Sequence, residues 1–275
     1  MPTPRRSAFG RWPPLASSPE GGLAAAAFFD LDRTLLRRSS ALALAGSFRE
    51  RGLISRRQLL QAAAWQLLFV ARGASHEAVR RGAEDGLRIL AGYRPEDLRE
   101  LVAEAMEPVL RPLVYAEPLR LVERHRERGE RVYVVSATLQ EIVEANAEDL
   151  GFDGALGTVC EVRDGRYTGR ALRALHAEAK ADCVHAVAES EGFDLLECTA
   201  YSDSHTDLPF LEAVGNPVAV NPDRELRRIA RDRGWPVLEF SGRAYPHARR
   251  RIPPVLVAAG AAGVAAIVAT RSRGR

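Results

Sequence analysis

Apolar runs and amphipathic segments alternate along most of this 275-residue chain. The uncharged run from Leu23 to Phe29 predicts a strand that is buried on both faces. Further strands are expected at residues 131–135, 198–201, 217–220 and 236–240, and helices at 118–128, 140–150 and 180–191. Residues 161–167, with Asp164-Gly165 at their centre, predict a hairpin. Strands that alternate with helices indicate an α/β protein with a doubly wound parallel sheet.

A long helical block interrupts this alternation. From about residue 40 to residue 110 the pattern is helical and carries no strand signal, and Pro95-Glu96-Asp97 is typical of a first helical turn. A helical block between two strands predicts a cap inserted over the active site. We therefore expect a catalytic core at residues 23–38 and 112–243 and a helical cap at 39–111.

The two ends of the chain differ from the rest. Residues 1–22 are rich in Pro, Ser, Gly and Arg and are predicted to be disordered. Residues 252–270 carry no charge and are flanked by arginines. As a helix they would span roughly 28 Å, close to the thickness of a bilayer. They predict a C-terminal transmembrane helix and a membrane-associated protein with a cytoplasmic catalytic domain; a peripheral helix packed on the domain, or a loose tail, is the alternative.

Composition narrows the class of protein. Apolar residues make up 46% of the chain and charged residues 27%, which is ordinary for a globular protein. A net charge of +3 and 7% aromatic residues argue against nucleic acid as a partner. The cysteines Cys160, Cys183 and Cys198 have no metal-ligand spacing and cannot all pair, which favours a reducing compartment.

The cations are unevenly distributed between the two basic residue types. Lys180 is the only lysine among 39 Lys plus Arg residues. A coding bias toward arginine explains the other cations but leaves this exception open. A site that needs a compact point charge is one place where arginine would not serve.

Two acids close the first predicted strand, in Phe28-Phe29-Asp30-Leu31-Asp32-Arg33-Thr34. A carboxylate can attack phosphorus and form an acyl phosphate, which divides hydrolysis into two easier steps. A second acid can protonate the leaving oxygen and then activate water. We interpret Asp30 as the nucleophile and Asp32 as the proton donor; a strand-end turn would show a similar pattern.

Three later segments fit the same reaction. Ser136, with Ala137 and Thr138, is expected where a strand ends and a helix begins, so its hydroxyl and the nearby backbone N–H groups could hold phosphate; an ordinary helix cap is the alternative. Lys180, at a predicted helix start, could neutralise Asp30 and the phosphate. Asp203 with Asp30 makes an oxygen site suited to Mg²⁺. Asp207 is expected to contact the metal ion through a bound water or to cap the next helix.

The order of these segments resembles the haloacid dehalogenase-like superfamily of aspartate-nucleophile phosphatases, subfamily IB, the group similar to phosphoserine phosphatase. The likeness rests on Asp30-Leu31-Asp32-Arg33-Thr34, Tyr201-Ser202-Asp203-Ser204, Val220-Asn221-Pro222-Asp223 and Arg233-Gly234-Trp235-Pro236-Val237. It covers about residues 24–240. It implies a Rossmann-like sheet with a helical cap.

The resemblance also implies roles for individual residues. Asp30 would accept the phosphoryl group and bind Mg²⁺, and Asp32 would be the general acid and base and bind Mg²⁺ through its main-chain carbonyl. Asp203 would complete the metal site. The phosphate of a small substrate would be held by Ser136 and Lys180, with Thr34 and Ala137 as further substrate-binding candidates.

One departure from the family pattern bears on the substrate. Phosphoserine phosphatases usually carry an acid a few residues after the first motif, and this acid binds the ammonium group of the substrate. Here Arg37 and Arg38 occupy that stretch, and they favour an anionic or apolar leaving group. The hypothesis is a Mg²⁺-dependent phosphomonoester phosphatase acting on a small phosphate ester or a lipid such as a lysophosphatidate. Phosphoserine phosphatase, a phosphotransferase and a non-catalytic membrane-attached protein that binds a phosphorylated ligand are the alternatives.

Deletion of residues 249–275 tests the predicted anchor. The full chain is expected in the membrane fraction and the truncated chain in the supernatant after ultracentrifugation, because the deletion removes the apolar span. Deletion of residues 1–22 is the control and should leave the distribution unchanged. Recovery of the full chain without detergent would contradict the anchor.

Overall fold

A single seven-stranded sheet organises the described part of the chain. The structure is a computed structural model, and it describes residues 24–52, 54 and 86–240. The strands are β1 (Ala26–Phe29), β2 (Arg131–Leu139), β3 (Gly154–Arg163), β4 (Arg166–Arg173), β5 (Thr199–Ser202), β6 (Asn216–Val220) and β7 (Val237–Leu238). Their order is β4-β3-β2-β1-β5-β6-β7. All neighbours are parallel except β3 and β4, which form an antiparallel hairpin.

The described helices lie between the strands and in the predicted cap region. They are α1 (Ser40–Ala43), α2 (Ala45–Glu50), α3 (Pro95–Ala105), α4 (Ala116–Glu127), α5 (Gln140–Leu150), α6 (Glu178–Glu191), α7 (Leu208–Glu212) and α8 (Arg224–Arg233). A π-helical turn (Met106–Leu110) and a 3₁₀ turn (Arg111–Leu113) follow α3, and a 3₁₀ turn (His205–Asp207) precedes α7. Residues 86–89 form a further helical turn.

The sequence pattern located most of these elements. The parallel sheet is confirmed, and so is the hairpin, whose turn at Asp164 and Gly165 has positive φ at both residues. The helix expected at 140–150 ends where Gly151 adopts a left-handed conformation (φ 75°), which costs glycine little. The strand expected to end at residue 135 instead continues to Leu139, so Ser136, Ala137 and Thr138 lie in β2 and Leu139 is the cap of α5.

Alternating side chains of the central strands build a core on each face of the sheet. Phe28 packs on one face, with its ring stacked 5.4 Å from that of Tyr133. Phe29 packs on the other, with its ring stacked 4.3 Å from that of Tyr201. Because both faces of these strands are covered by apolar groups, the polar residues that follow β1 and β5 are fixed at the carboxyl edge of the sheet.

A third apolar cluster joins the cap region to the sheet edge. It contains Leu98, Leu101 and Val102 of α3 together with Ile142 of α5 and Tyr167 of β4. The helices described within 39–111 agree with the helical pattern there, whereas residues 53 and 55–85 lie outside the described residues. The division into core and cap stays a prediction.

Two chain segments connect the cap region to the core, and they are hydrogen-bonded to each other. The N–H of Arg37 donates to the carbonyl of Leu113 (2.8 Å), and the N–H of Tyr115 donates to the carbonyl of Leu35 (2.9 Å). Between these bonds Leu36 forms an antiparallel bridge with Val114. The two connections therefore form a short two-stranded ribbon.

Predictions for both termini concern residues that the structure leaves undescribed. Among the described helices, none has the length and apolar character needed to cross a membrane. The predicted C-terminal hydrophobic helix at 252–270 and the predicted disordered segment at 1–22 both lie outside the described residues.

The aromatic packing around Phe29 predicts a large effect on stability. Phe29→Ala is expected to lower the free energy of unfolding by about 3–5 kcal/mol, because it leaves a cavity beneath the ring of Tyr201. Leu196→Ala is the control; Leu196 is 76% exposed, so the change should stay within about 0.5 kcal/mol. Urea denaturation followed by circular dichroism measures both, and equal effects would contradict the packing argument.

Candidate active site

The predicted catalytic acids lie at the carboxyl ends of adjacent strands. Asp30 follows β1, and its N–H donates to the carbonyl of Tyr201 in β5 (2.9 Å). Asp203 follows β5, which is paired with β1. Both acids are buried. Since open α/β sheets bind ligands at this edge, the strand order alone brings these two carboxylates into one site.

Lys180 lies at the centre of the site. It is the third residue of α6 and only 2% exposed, and its Nζ is 2.6 Å from Asp30 Oδ1 and 2.7 Å from Asp207 Oδ2. Ser202 also donates to Asp207 Oδ2 (2.7 Å). Asp207 immediately precedes α7 but makes no side-chain cap bond to it. Its contacts assign it to holding the lysine, which the sequence analysis did not foresee.

Burial and charge act in opposite directions on this buried pair. Burial raises the pKa of Asp30 to about 7, although the Lys180 ammonium partly opposes the rise. Burial by itself would lower the pKa of Lys180, but the carboxylates of Asp207 and Asp30 outweigh it and raise that pKa. The lysine therefore stays charged, and it stabilises the ionised form of Asp30.

Asp203 is a second buried acid, and its contacts leave one carboxylate oxygen without a hydrogen bond. Arg33 Nε lies 3.2 Å from Asp203 Oδ2, yet that oxygen accepts no hydrogen bond. Burial raises the pKa of Asp203 well above its usual value, and the neighbouring charge of Asp30 adds to the rise. Such an oxygen, beside a second carboxylate, favours a bound cation.

The donor set fits Mg²⁺. Within the described ranges, no group of three or more His, Cys, Asp or Glu side chains is arranged to hold a metal ion. The predicted site needs only the side chains of Asp30 and Asp203 with the main-chain oxygen of Asp32. Mg²⁺ prefers hard oxygen atoms and keeps several waters, and Asp203 Oδ2, which accepts no hydrogen bond, is an oxygen of that kind.

Asp32 is held by groups from the cap side and from β2. Its Oδ1 accepts the N–H of Ser40 (2.8 Å), at the start of α1, and its Oδ2 lies 3.5 Å from Thr138 Oγ1. Burial raises the pKa of Asp32, and the bond from Ser40 opposes the rise. Ser40 and Thr138 were not identified as Asp32 partners from the sequence; Ser39-Ser40 before an apolar helix was the available signal.

The other predicted phosphate-binding residues lie beside these acids but have different contacts. Ser136 is buried in β2 and accepts the N–H of Thr138 (3.2 Å). The carbonyl of Ala137 accepts Thr158 Oγ1 (2.7 Å). Thr34 is fully buried and its Oγ1 has no hydrogen-bond partner. Roles for Ser136, Ala137 and Thr34 in binding substrate stay predictions.

Asp223 was another residue whose part in the site the sequence left open. Its side chain caps α8 and accepts both the N–H and the Nδ1 of His205 (3.0 and 2.9 Å). Its own N–H donates to the carbonyl of Asp203 (2.8 Å). Asp223 thus fixes the loop that presents Asp203, and His205 is a partner of that loop.

Comparisons with known proteins point to one family. The model of the haloacid dehalogenase-like hydrolases matches residues 27–212. A Mycobacterium tuberculosis protein named as a probable phosphatase is 42% identical over 248 residues, covering 89% of this chain and 86% of its own. Another M. tuberculosis protein, named phosphoserine phosphatase, is 36% identical over 278 residues, covering 100% of this chain and 88% of its own. A solved Bordetella pertussis protein of unknown function is similar with TM-score 0.69 at 31% identity, covering 79% of this chain and 99% of that chain.

Replacement of the buried lysine should destabilise the fold in a pH-dependent way. In metal-free buffer, Lys180→Met is expected to lower the free energy of unfolding by about 3–5 kcal/mol at pH 8, because buried carboxylates lose their cation. The loss should be smaller at pH 5. A folded-state pKa of about 7 for Asp30, above its unfolded value of 3.8, means that protonation favours the folded state, so the need for the cation falls as the pH drops below 7.

Urea denaturation at both pH values, with EDTA present, measures this effect. Arg228→Met, at a surface arginine that is 60% exposed, is the matched control and should change stability by less than about 0.5 kcal/mol. An equal loss at pH 5 and pH 8 would contradict the charge argument.

Proposed function

This chain belongs to the haloacid dehalogenase-like hydrolase family and is a phosphoric monoester hydrolase, and we propose that it transfers the phosphoryl group of its substrate to Asp30. The observation that carries the proposal is the buried ion pair between Asp30 and Lys180, with Asp203 at the end of the neighbouring strand. A buried carboxylate whose charge is held by a buried ammonium is suited to attack an anionic phosphate.

The reaction then proceeds in two steps. A carboxylate oxygen of Asp30 attacks phosphorus, the ester P–O bond breaks, and the leaving alkoxide takes a proton from Asp32. Asp32 next removes a proton from water, the water oxygen attacks phosphorus, and phosphate and free Asp30 are released. The raised pKa of Asp32 suits a group that must first carry a proton.

Three of the groups at this edge would hold Mg²⁺: the side chains of Asp30 and Asp203 and the main-chain carbonyl of Asp32. A bound Mg²⁺ ion would supply positive charge to the phosphate oxygens and favour the ionised form of Asp30. Lys180 contributes a second, permanent positive charge, and Asp207 keeps that lysine in place.

Two classes of leaving group are proposed. Arg37 and Arg38 are both exposed beyond the first motif, and Arg37 donates to the carbonyl of Pro112 (2.5 Å). They favour an anionic or apolar leaving group, for which a lysophosphatidate is a candidate if residues 252–270 bind a membrane. The relative named phosphoserine phosphatase makes phosphoserine the second candidate. A non-catalytic ligand-binding protein would have no reason to keep both acids and the lysine.

Asp30→Asn is expected to lower the turnover of p-nitrophenyl phosphate by about a thousandfold or more, because the amide cannot form the acyl phosphate. Turnover by the unchanged protein should be lost with EDTA and restored by Mg²⁺. Steady-state assays with and without each addition measure both effects.

Asp164→Asn is the matched control for this substitution. Asp164 lies in the exposed turn between β3 and β4 with φ 50°, which asparagine tolerates, so activity should be unchanged. Activity that survives Asp30→Asn would rule out the intermediate. Binding of phosphate esters without any turnover would favour the non-catalytic alternative.

A further inference from the structure

Arg33 stands between the proposed acid Asp32 and the buried Thr34, yet the mechanism above gives it no role. Its side chain is 51% exposed, so it lies at the mouth of the site while the acids lie below it. Its backbone has φ 66°, a left-handed conformation that glycine would adopt without cost. A long cationic side chain at such a position is typical of a residue retained for its function.

The contact of Arg33 with Asp203 uses only a part of its guanidinium. Nε lies 3.2 Å from Asp203 Oδ2 and makes no well-aligned hydrogen bond to it. Among the described residues, Asp203 is the only one with which the Arg33 guanidinium forms an ion pair or a hydrogen bond. The N–H donors of its two Nη atoms are therefore left for another partner. A planar fork of N–H donors matches a carboxylate or a phosphate.

Arg37 is a second exposed cation, four positions after Arg33 in the sequence. Burial raises the pKa of Tyr115; the charges of Arg37 and Arg33 oppose that rise, and the charges of Asp203 and Glu117 add to it. Arg37 is exposed and Tyr115 is half-buried. Asp30 and Asp203 are buried, whereas Arg33 and Arg37 are exposed, so an anionic group that stays outside the buried acids would meet these cations first.

We propose that Arg33 determines specificity by binding a second anionic group, carried by the leaving group of the substrate. The substrate class is then phosphate monoesters whose alcohol bears a carboxylate or another phosphate. This inference rests on the proposed function, because it assumes that the scissile phosphate lies at Asp30. A role only as the counter-ion of Asp203 is the competing explanation, and it predicts equal effects on all substrates.

Two substrate pairs that differ in one carboxylate test the proposal. 3-Phosphoglycerate is compared with glycerol 3-phosphate, and phosphoserine with phosphoethanolamine. Each is assayed with the unchanged protein, with Arg33→Asn and with Arg163→Ala. Asparagine tolerates the left-handed backbone at position 33, and Arg163 is a surface residue of β3, 71% exposed.

The expected result is selective for the carboxylate. Arg33→Asn should lower kcat/KM for 3-phosphoglycerate and phosphoserine by about ten- to a hundredfold, mainly through KM, because a charge-assisted bond to a remote group is lost. The partner substrates should change by less than about threefold, and Arg163→Ala should change none. Equal losses on all four substrates, no loss, or no preference of the unchanged protein for the carboxylate would overturn the proposal.

Calorimetry separates this inference from the proposed function. If none of the four esters is hydrolysed, the proposed function fails, and the binding of 3-phosphoglycerate and glycerol 3-phosphate to the same proteins still decides the role of Arg33. Weaker binding of 3-phosphoglycerate alone to Arg33→Asn than to the unchanged protein supports the role of Arg33. An equal change in the binding of both esters, or no change in either, overturns that role.

Discussion

The site depends on the two ion pairs that the Lys180 ammonium forms with Asp30 and Asp207. Asp30 and Asp207 are both buried, and two carboxylates in that position would be costly without a cation between them. A lysine provides that cation as a point charge at the end of a long stem, which reaches Asp30 across 150 positions of sequence. The arginines that supply the other positive charges of this chain carry a wider, planar group. The single lysine of the sequence is therefore used where the charge must be most compact.

The sheet determines where every other group of the site lies. Asp30 and Asp203 end neighbouring parallel strands, and the phenylalanines before Asp30 anchor β1 from both faces of the sheet. Apolar packing fixes the backbone of the strands, and the polar side chains that follow the strands are thereby positioned at the edge of the sheet. The buried acids are compensated unevenly: Asp30 shares the buried Lys180 ammonium with Asp207, whereas Asp203 has an exposed arginine and an oxygen without a hydrogen bond.

Local patterns predicted those parts of the structure that depend on local physics. Three patterns lie within a few residues of the feature that they predict. The uncharged run before Asp30 predicted the strand, the glycine after α5 predicted the helix end, and the acid pair predicted the acids at the strand end. Ser136 was expected between a strand that ends at residue 135 and a helix that begins at residue 140, but pairing with β3 extends β2 to Leu139. The contact between Thr138 and Asp32 joins residues 106 positions apart, which no local pattern can reveal, whereas the bond from Ser40 spans 8 positions and had a local signal in Ser39-Ser40.

The ribbon formed by the two connections to the cap region has a mechanical consequence. Because Leu36 and Val114 are bridged and the residues on either side of them are hydrogen-bonded, the two connections cannot move independently of each other. Asp32 precedes this ribbon and Ser40 follows it, and the N–H of Ser40 donates to the Asp32 carboxylate (2.8 Å). The orientation of the Asp32 carboxylate is therefore set by the first helix beyond the ribbon as well as by the sheet.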